Sequence, residues 1–475
     1  MQKINTFAMP GQGGRCPPTD LGGETLATER TTSLLAATEL EQVPEHLSIY
    51  QIFVRNYTEE GTFLAAIPRL GEVAALGCAW VYLTPIHPIG SKDRKGSRGS
   101  PYAISDYRSV NPELGTLEDF GHFAEAVHKL GLKLMIDVVY NHTAPDSLLA
   151  RAHPEWFMHA PDGSLSRKCG DWSDVVDFDY YAPASKPALW DELIDILDYW
   201  RGIGVDGFRC DVASLVPVEF WKAARRRINR YNPETGREDR PTLWLAESVH
   251  PSFVAKLRSL GYKAWSDPEI HAAFDLSYDY DGFEILEKVW SGEKSITCYL
   301  EHIPLQQSMF PASARKIRYL ENHDQKRAAW RFAERSRLEA WTLFYQFLPG
   351  CTFVYMGQES AISLYPSLFE KSTVPWHEAR PDFYEFFKRC FDLTQAVKAE
   401  PSAFSFRILS EGLVLLVRKA PRKTYYALCN LESRRGFVEL PFPVRGTELL
   451  AGKSVELSGK TQIPESCMLI ETDTE

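Results

Sequence analysis

The stretch Thr116-Leu-Glu-Asp-Phe-Gly-His-Phe-Ala-Glu-Ala-Val-His-Lys-Leu-Gly131-Leu-Lys-Leu-Met-Ile-Asp-Val-Val-Tyr-Asn-His142 changes character halfway. Between Thr116 and Leu130 the apolar residues Leu117, Phe120, Ala124, Val127 and Leu130 form a helical stripe. Thr116, after Gly115, is placed to cap the first turn, and Gly131 ends the last. From Lys133 to Val139 the helical spacing gives way to a short apolar run, which breaks into polar residues at Asn141 and His142. Such a run, bounded by glycine and polar residues, reads as a strand buried on both faces. A helix feeding directly into a buried strand is one unit of a parallel α/β sheet.

The same unit recurs along the chain. Apolar runs stand at Ser48–Val54, Trp80–Leu83, Lys133–Val139, Gly204–Asp211, Leu243–Glu247, Ala273–Leu276, Ile317–Glu321 and Thr352–Tyr355, with helical patterns such as Pro187–Gly202 between them. These runs fit a (β/α)8 TIM barrel of about 250 residues plus insertions. A doubly wound sheet is the alternative on pattern alone. Residues 44–400 are assigned to the barrel. Residues 143–186 are too long for a βα loop and read as a short inserted subdomain after the third strand. From about Ser405 short strands with turn signals take over, at Phe404–Ile408, Leu413–Arg418, Thr424–Asn430 and Gly436–Leu440. Residues 401–475 are therefore assigned to an all-β C-terminal domain, a β-sandwich. Residues 1–43 read as an irregular arm with a short helix near Leu34–Leu40.

Composition removes several function classes. Of 475 residues, 44% are hydrophobic and 24% charged, so the chain can bury a large core and is not disordered throughout. A net charge of −10 argues against a nucleic-acid partner. No apolar run approaches the roughly 18 residues of a membrane span. The nine cysteines are widely spaced and include no CxxC pair, and Met1 to His46 holds no continuous apolar leader. Together these point to free thiols in a reducing compartment and a cytoplasmic location. Gly11-Gln-Gly-Gly14 follows no strand, so it is not read as a phosphate loop.

In a barrel the C-terminal ends of the strands converge on one mouth. Here they carry Asp137 and Asn141-His142, then Arg209 and Asp211, then Glu247, then Glu321-Asn-His323-Asp324, with Tyr102 and Asp106-Tyr107 in the loop after the second strand. Arg209 and Asp211 lie two apart on a strand and so share a face. A neighbouring guanidinium keeps a carboxylate ionised, which suits a nucleophile. Glu247 emerges from Leu243-Trp-Leu-Ala246, and apolar walls would make it a proton donor. Two carboxyl groups about 5–5.5 Å apart support retaining glycoside hydrolysis. The competing reading is a set of buried ion pairs that tie the barrel together. Several strands with acid, Arg or His at their ends favour a functional site.

These residues carry a resemblance to the α-amylase family of glycoside hydrolases, from about Ser48 through the C-terminal domain. Asp137-Val-Val-Tyr-Asn-His142, Gly207-Phe-Arg-Cys-Asp211, Ala246-Glu247 and Asn322-His-Asp324 appear in the family's order. Ser100-Pro-Tyr-Ala-Ile-Ser-Asp-Tyr107, Pro349-Gly350 and Tyr355-Met-Gly-Gln-Glu359 resemble it as well. The resemblance implies Asp211 as nucleophile, Glu247 as general acid/base and Asp324 as the third carboxylate, which holds sugar hydroxyls in the transition state. It implies Arg209 as the residue orienting the nucleophile, His142 and His323 as sugar-binding histidines and Tyr102 as an aromatic platform. Asp137 is read as supporting the site.

The sequence also departs from the family. Many members follow the nucleophile with Lys-His; here Val212-Ala-Ser-Leu-Val216 follows, closer to the neopullulanase and α-glucosidase-like branches. Asn141 matches a calcium ligand in some members, and Asp171, Asp174, Asp177 and Asp179 could add oxygens. The preferred reading is a solvated acidic loop lining the cleft, with no metal ligand and no cofactor assigned. Arg225-Arg-Arg227 reads as a solvated helix face, and His153-Pro-Glu-Trp-Phe157 as a small local core. The main expectation is a retaining hydrolase cleaving α-glucosidic bonds in α-glucans or malto-oligosaccharides. The alternative is a transglycosylase or glucosyltransferase using the same covalent intermediate. A non-catalytic binding relative is the third reading, disfavoured by the three inward carboxylates.

Overall fold

The computed structural model describes residues 42–229 and 241–474. The arm assigned to residues 1–43, with its short helix near Leu34–Leu40, falls almost wholly outside the described residues. Eight parallel strands close into a barrel in sequential order. They are β1 (Ser48–Ile52), β2 (Trp80–Leu83), β3 (Lys133–Val138), β4 (Gly207–Cys210), β5 (Leu243–Ala246), β6 (Leu276–Tyr278), β7 (Arg315–Arg318) and β8 (Cys351–Tyr355). All but the first residues of β2, β3 and β7 are buried. Helices cover the outside and side chains fill the inside, which is why these strands read as continuous apolar runs.

Around them run α1 (Leu70–Leu76), α2 (Leu117–Lys129), α3 (Ala188–Ile203), α4 (Val218–Ile228), α5 (Pro251–Ser259), α6 (Tyr280–Trp290), α7 (Ile296–Met309), α8 (Arg335–Phe347) and α9 (Pro381–Ala399). The start of α2 is the expected one. Thr116 accepts from the Asp119 amide, and Asp119 answers on the Thr116 amide. This reciprocal box satisfies two amides that the first turn leaves open. Phe120, Ala124 and Val127 are buried, while Leu117 and Leu130 at the ends of the stripe stay exposed.

Two strands sit away from the expected runs. The sixth begins where its run ends, because Asp275 fixes the turn before it. The Asp275 carboxylate takes both Arg225 nitrogens, at 2.9 and 2.7 Å, and the Trp244 amide at 2.9 Å. Arg225 is therefore a partner of the barrel and not part of a solvated face; Arg226 and Arg227 are the exposed members, Arg227 against Asp191 and Asp195. The seventh strand starts earlier and is built from charged residues. Lys316 pairs with Asp267 at 3.0 Å and Asp281 at 2.9 Å. Arg318 pairs with Asp279 at 2.6 Å, and donates to Gln306 and to the Pro349 carbonyl. An apolar-run search passes over a strand whose charges are neutralised from neighbouring elements.

The insertion holds the short helix Leu148–Ala152 and a two-residue ribbon that pairs His142–Thr143 with Val176–Asp177. His153 stacks on buried Trp156, and Phe157 on Phe178, the expected local core.

Beyond α9 come β9 (Ala403–Ser410), β10 (Leu413–Lys419), β11 (Lys423–Asn430), β12 (Phe437–Glu439), β13 (Val444–Glu448), β14 (Lys453–Leu457), β15 (Lys460–Gln462) and β16 (Cys467–Asp473). Six form an antiparallel sheet in the order β9-β10-β11-β16-β13-β14, and β12 pairs with β15 in a ribbon. Alternation splits the sheet cleanly. Val414, Leu416, Ala427 and Leu469 join the barrel's core, while Leu413, Leu415 and Leu428 pack toward the ribbon residue Val438. The second layer of the expected sandwich is thus this small ribbon. Among the described residues no helix is long and apolar enough to cross a membrane.

The buried pair between β7 and the residue before α6 yields a stability prediction. Arg318 and Asp279 are each 3% exposed. Arg318→Leu strands the Asp279 charge and is expected to lower unfolding free energy by about 3–5 kcal/mol. Adding Asp279→Asn should recover more than half of that loss. Urea unfolding of the two variants checks both statements, and a loss under about 1 kcal/mol for Arg318→Leu would remove the pair from any central role.

Candidate active site

Inside the barrel, Tyr82 of β2, Arg209 of β4, Tyr278 of β6 and Phe353 of β8 come together. Tyr82 and Tyr278 pack on Phe353 with ring centres 6.3 and 5.8 Å away, and the Arg209 guanidinium lies 5.6 Å from the Tyr278 ring. Alternate strands filling one layer is the packing rule of this barrel. An arginine in the layer is the exception, and it is fully buried. A buried guanidinium requires carboxylates close by, and Arg209 has three. Its Nη1 donates to both oxygens of Asp137, at 2.8 and 2.9 Å, and to Asp211 Oδ1 at 2.9 Å. Its Nη2 lies 3.0 Å from Glu247 Oε2, an ion pair without hydrogen-bond alignment.

Arg209 was expected beside the Asp211 carboxylate; it flanks Asp137 and Glu247 as well. Adjacent parallel strands place Asp137 beside Arg209 in register, and β5 brings Glu247 to the other side. The expected apolar walls around Glu247 are corrected as well. Its oxygens face the Val212 amide at 2.8 Å and the Tyr280 hydroxyl at 3.3 Å. Val212 meets Glu247 by adopting a left-handed backbone, φ 35° and ψ 45°. For a β-branched residue that is a strained conformation, held here by the carboxylate on its amide.

The charge balance decides protonation. Burial pushes the Asp211 carboxyl well above the usual range; the Glu247 charge adds to this and Arg209 opposes it. Asp137 is raised too, by burial first, against Arg209. Asp324 is pushed up to about 7, by loss of water first and then by Glu247, although its side chain still keeps 36% exposure at the mouth. One guanidinium does not balance this many carboxylates, and each raises its neighbours' affinity for a proton.

The remaining expected residues gather around it. His323 is fully held: Gln51 Nε2 lies 2.8 Å from its Nδ1, and its Nε2 meets the Tyr102 hydroxyl and, at 3.1 Å, Asp324 Oδ2. The Gln51 amide donates, so Nδ1 accepts and Nε2 carries the proton. Tyr102 donates a hydrogen bond to Asp137 at 3.1 Å, and its ring stacks on that of His323. Burial lowers His323 well below the usual histidine value and brings His142 down to about 4. His142 Nε2 is 3.8 Å from Asp211 Oδ2. All seven expected residues, Tyr102, His142, Arg209, Asp211, Glu247, His323 and Asp324, thus line one mouth.

Sequence reasoning passed over Gln51, Tyr82, Tyr280 and Lys168. A glutamine inside the buried Ser48–Ile52 run was a usable signal, since a buried amide needs a partner.

The calcium question is answered by which groups already hold the oxygens. Lys168 Nζ sits 2.8 Å from Asn141 Oδ1 and 3.0 Å from Asp177 Oδ2. Asp174 pairs with Lys95 at 2.9 Å, and Asp179 caps the amides of Tyr181 and Ala182. Asp171 is exposed and gives its backbone carbonyl to Lys95. Asp177 Oδ1 is buried without a hydrogen-bond partner. With the Asn141 and Asp177 oxygens on an ammonium and Asp174 paired with Lys95, the loop does not assemble the six to eight oxygens that calcium takes. The residues present do not fit the ion.

Comparison with known proteins places this geometry. The sequence matches the α-amylase catalytic domain over residues 51–182 and 171–378. A crystal structure of an α-amylase from Lactobacillus plantarum is 38% identical with a TM-score of 0.83, covering 90% of this chain and 99% of that one. A maltogenic α-amylase from Thermotoga neapolitana is 28% identical with a TM-score of 0.78, over 91% and 99%. Among curated proteins, the α-1,4-glucan:maltose-1-phosphate maltosyltransferase of Myxococcus xanthus is 34% identical over 235 residues, 45% of this chain and 34% of its own length. That of Salinibacter ruber is 37% identical over 240 residues, 45% and 35%. The chain thus spans about a third of the length of the curated relatives it matches.

The repulsion between these carboxylates generates a prediction about pH. The Asp137 charge raises Asp211, so Asp137→Asn lowers it, and an ionised Asp211 then persists to lower pH. The acid limb of the residual kcat/KM should move down by about one pH unit or more. A limb that stays in place, or moves up, would contradict the electrostatic coupling.

Proposed function

The chain belongs to the α-amylase family, and from that premise we propose that it opens α-glucosidic bonds in α-glucan oligosaccharides by double displacement. Asp211 attacks the anomeric carbon while Glu247 protonates the leaving oxygen. Glu247 then takes the proton of the incoming acceptor, which displaces Asp211 and restores the configuration. Asp324 and His323 hold hydroxyls of the flattened ring, where binding that strengthens in the transition state lowers the barrier. The observation that carries this reading is the Arg209 fork, which contacts Asp211 through one nitrogen and Glu247 through the other. Sharing one guanidinium supports the close spacing of about 5–5.5 Å that retention uses, as against roughly 6.5–9.5 Å where water must fit between.

For the acceptor, we place transfer to a sugar hydroxyl first and hydrolysis second, reversing the order expected from sequence. The transferase names of the curated relatives support transfer. So does Trp172, half-buried at the edge of the site, its ring 5.4 Å from His142 and 6.4 Å from Phe253. An aromatic face there offers a sugar acceptor a platform that water does not need. The solved amylases support hydrolysis as the second reading. Eight free cysteines among the described residues, five of them buried, support action in a reducing compartment, the cytoplasm.

The test is made on purified protein with maltotriose, maltose 1-phosphate, panose, pullulan and starch, resolving products by length and anomer. Elongated products in excess of glucose and maltose are expected; shorter products alone would return hydrolysis to first place. Asp211→Asn should cost at least roughly a thousandfold in kcat, with the fold intact. Glu247→Gln should still form the glycosyl-enzyme from a substrate with a good leaving group. Near-native turnover by Asp211→Asn, or a β-anomer as first product, would refute the assigned nucleophile.

A further inference from the structure

A second run of hydrogen bonds reaches the site from the insertion, and chemistry alone fixes its direction. Lys168 is 10% exposed and its partner Asp177 fully buried. The Lys168 ammonium can only donate, so the Asn141 atom 2.8 Å from it is the amide oxygen. The amide nitrogen therefore faces the other way, 3.1 Å from His142 Nδ1. An amide nitrogen also only donates, so Nδ1 accepts. A neutral ring that accepts at Nδ1 carries its proton on Nε2, and that atom looks toward Asp211 Oδ2 at 3.8 Å.

We propose that Lys168 is a positioning residue: acting through the Asn141 amide, it fixes His142 as the Nε2–H tautomer and aims that proton at the space beside Asp211. The consequence for catalysis rests on the function proposed above, in which a sugar hydroxyl occupies that space. The tautomer itself does not rest on it. Without the ammonium the amide is free to turn over, present its oxygen to Nδ1 and draw the proton away from the substrate. Asp177 anchors the lysine from the opposite side, with both Lys168 Nζ and the Lys168 backbone amide on Oδ2, at 3.0 and 2.9 Å. The ammonium thus occupies oxygens that the sequence offered to a cation, and it is covalently part of the chain.

The experiment is ¹⁵N NMR of histidine-labelled full-length protein at neutral pH, with His142 identified by the signal lost in His142→Gln. Wild type is expected to show His142 neutral, protonated at Nε2 and bare at Nδ1. Asn141→Asp keeps an acceptor for Lys168 but gives Nδ1 no donor; His142 should move to the Nδ1–H form and kcat/KM should fall roughly tenfold, the scale of one charge-linked hydrogen bond. Lys168→Met should produce a mixture of tautomers, and Lys168→Arg, another pure donor, should keep Nε2–H. Should Lys168→Met fail to fold, the near-isosteric Asn141→Asp carries the test. Retention of Nε2–H in Asn141→Asp, or an Nδ1–H or charged His142 in wild type, overturns the proposal. Activity surviving in Asp211→Asn would strike the reaction assignment and leave the tautomer result standing.

Discussion

One buried guanidinium organises this molecule. Arg209 occupies a position in the barrel's interior that packing would give to an apolar residue, between the rings of Tyr102 and Tyr278. Stripped of water, it is stable there only because β3, β4 and β5 each deliver a carboxylate to it. The converse holds equally. Asp137, Asp211 and Glu247 would repel one another in a low-dielectric mouth without the cation among them. The register of three strands, the strained turn at Val212 and the position of the reacting groups are thus consequences of the same charge cluster.

The cluster is deliberately out of balance. One positive charge faces three carboxylates, with a fourth at Asp324. Burial raises the Asp211 carboxyl, whereas the double displacement proposed above uses it as the bare carboxylate. A sugar ring in the mouth changes the terms: its hydroxyls bring donors to Asp211, and His142 offers another. Donors to the charged form favour that form, so in the proposed reaction a bound sugar favours the bare Asp211 carboxylate.

The fold was legible wherever strands are apolar. The first five runs and the eighth lie within a few residues of their strands, because a parallel strand covered on both faces is mostly apolar. The sixth and seventh were displaced because Asp275, Lys316 and Arg318 are buried by pairing, which no hydropathy pattern records. Site residues were legible as strand-end polar groups in order. Their partners were not. That Arg209 serves Glu247 as well as Asp211, or that Lys168 reaches Asn141 across the insertion, is a fact of closure in space. Tyr82 was hidden differently: its ring belongs to the barrel layer and only its hydroxyl, on Asp137 at 2.5 Å, belongs to the site.

The lysine at Asn141 bears on how such a site is kept in order. A divalent ion gathers oxygens by coordination and leaves when they are protonated or chelated. An ammonium fixed to the insertion donates along defined directions and cannot diffuse away. The outcome is a coupling of a different kind. The ribbon pairing His142–Thr143 with Val176–Asp177 and the Lys168 contacts close the same short circuit of chain. The insertion can therefore hold a catalytic-site histidine in one protonation form only while it is itself folded against the barrel. Loosening the ribbon and misdirecting the His142 proton become one event, which makes the insertion part of the active site's definition and not a covering laid over it.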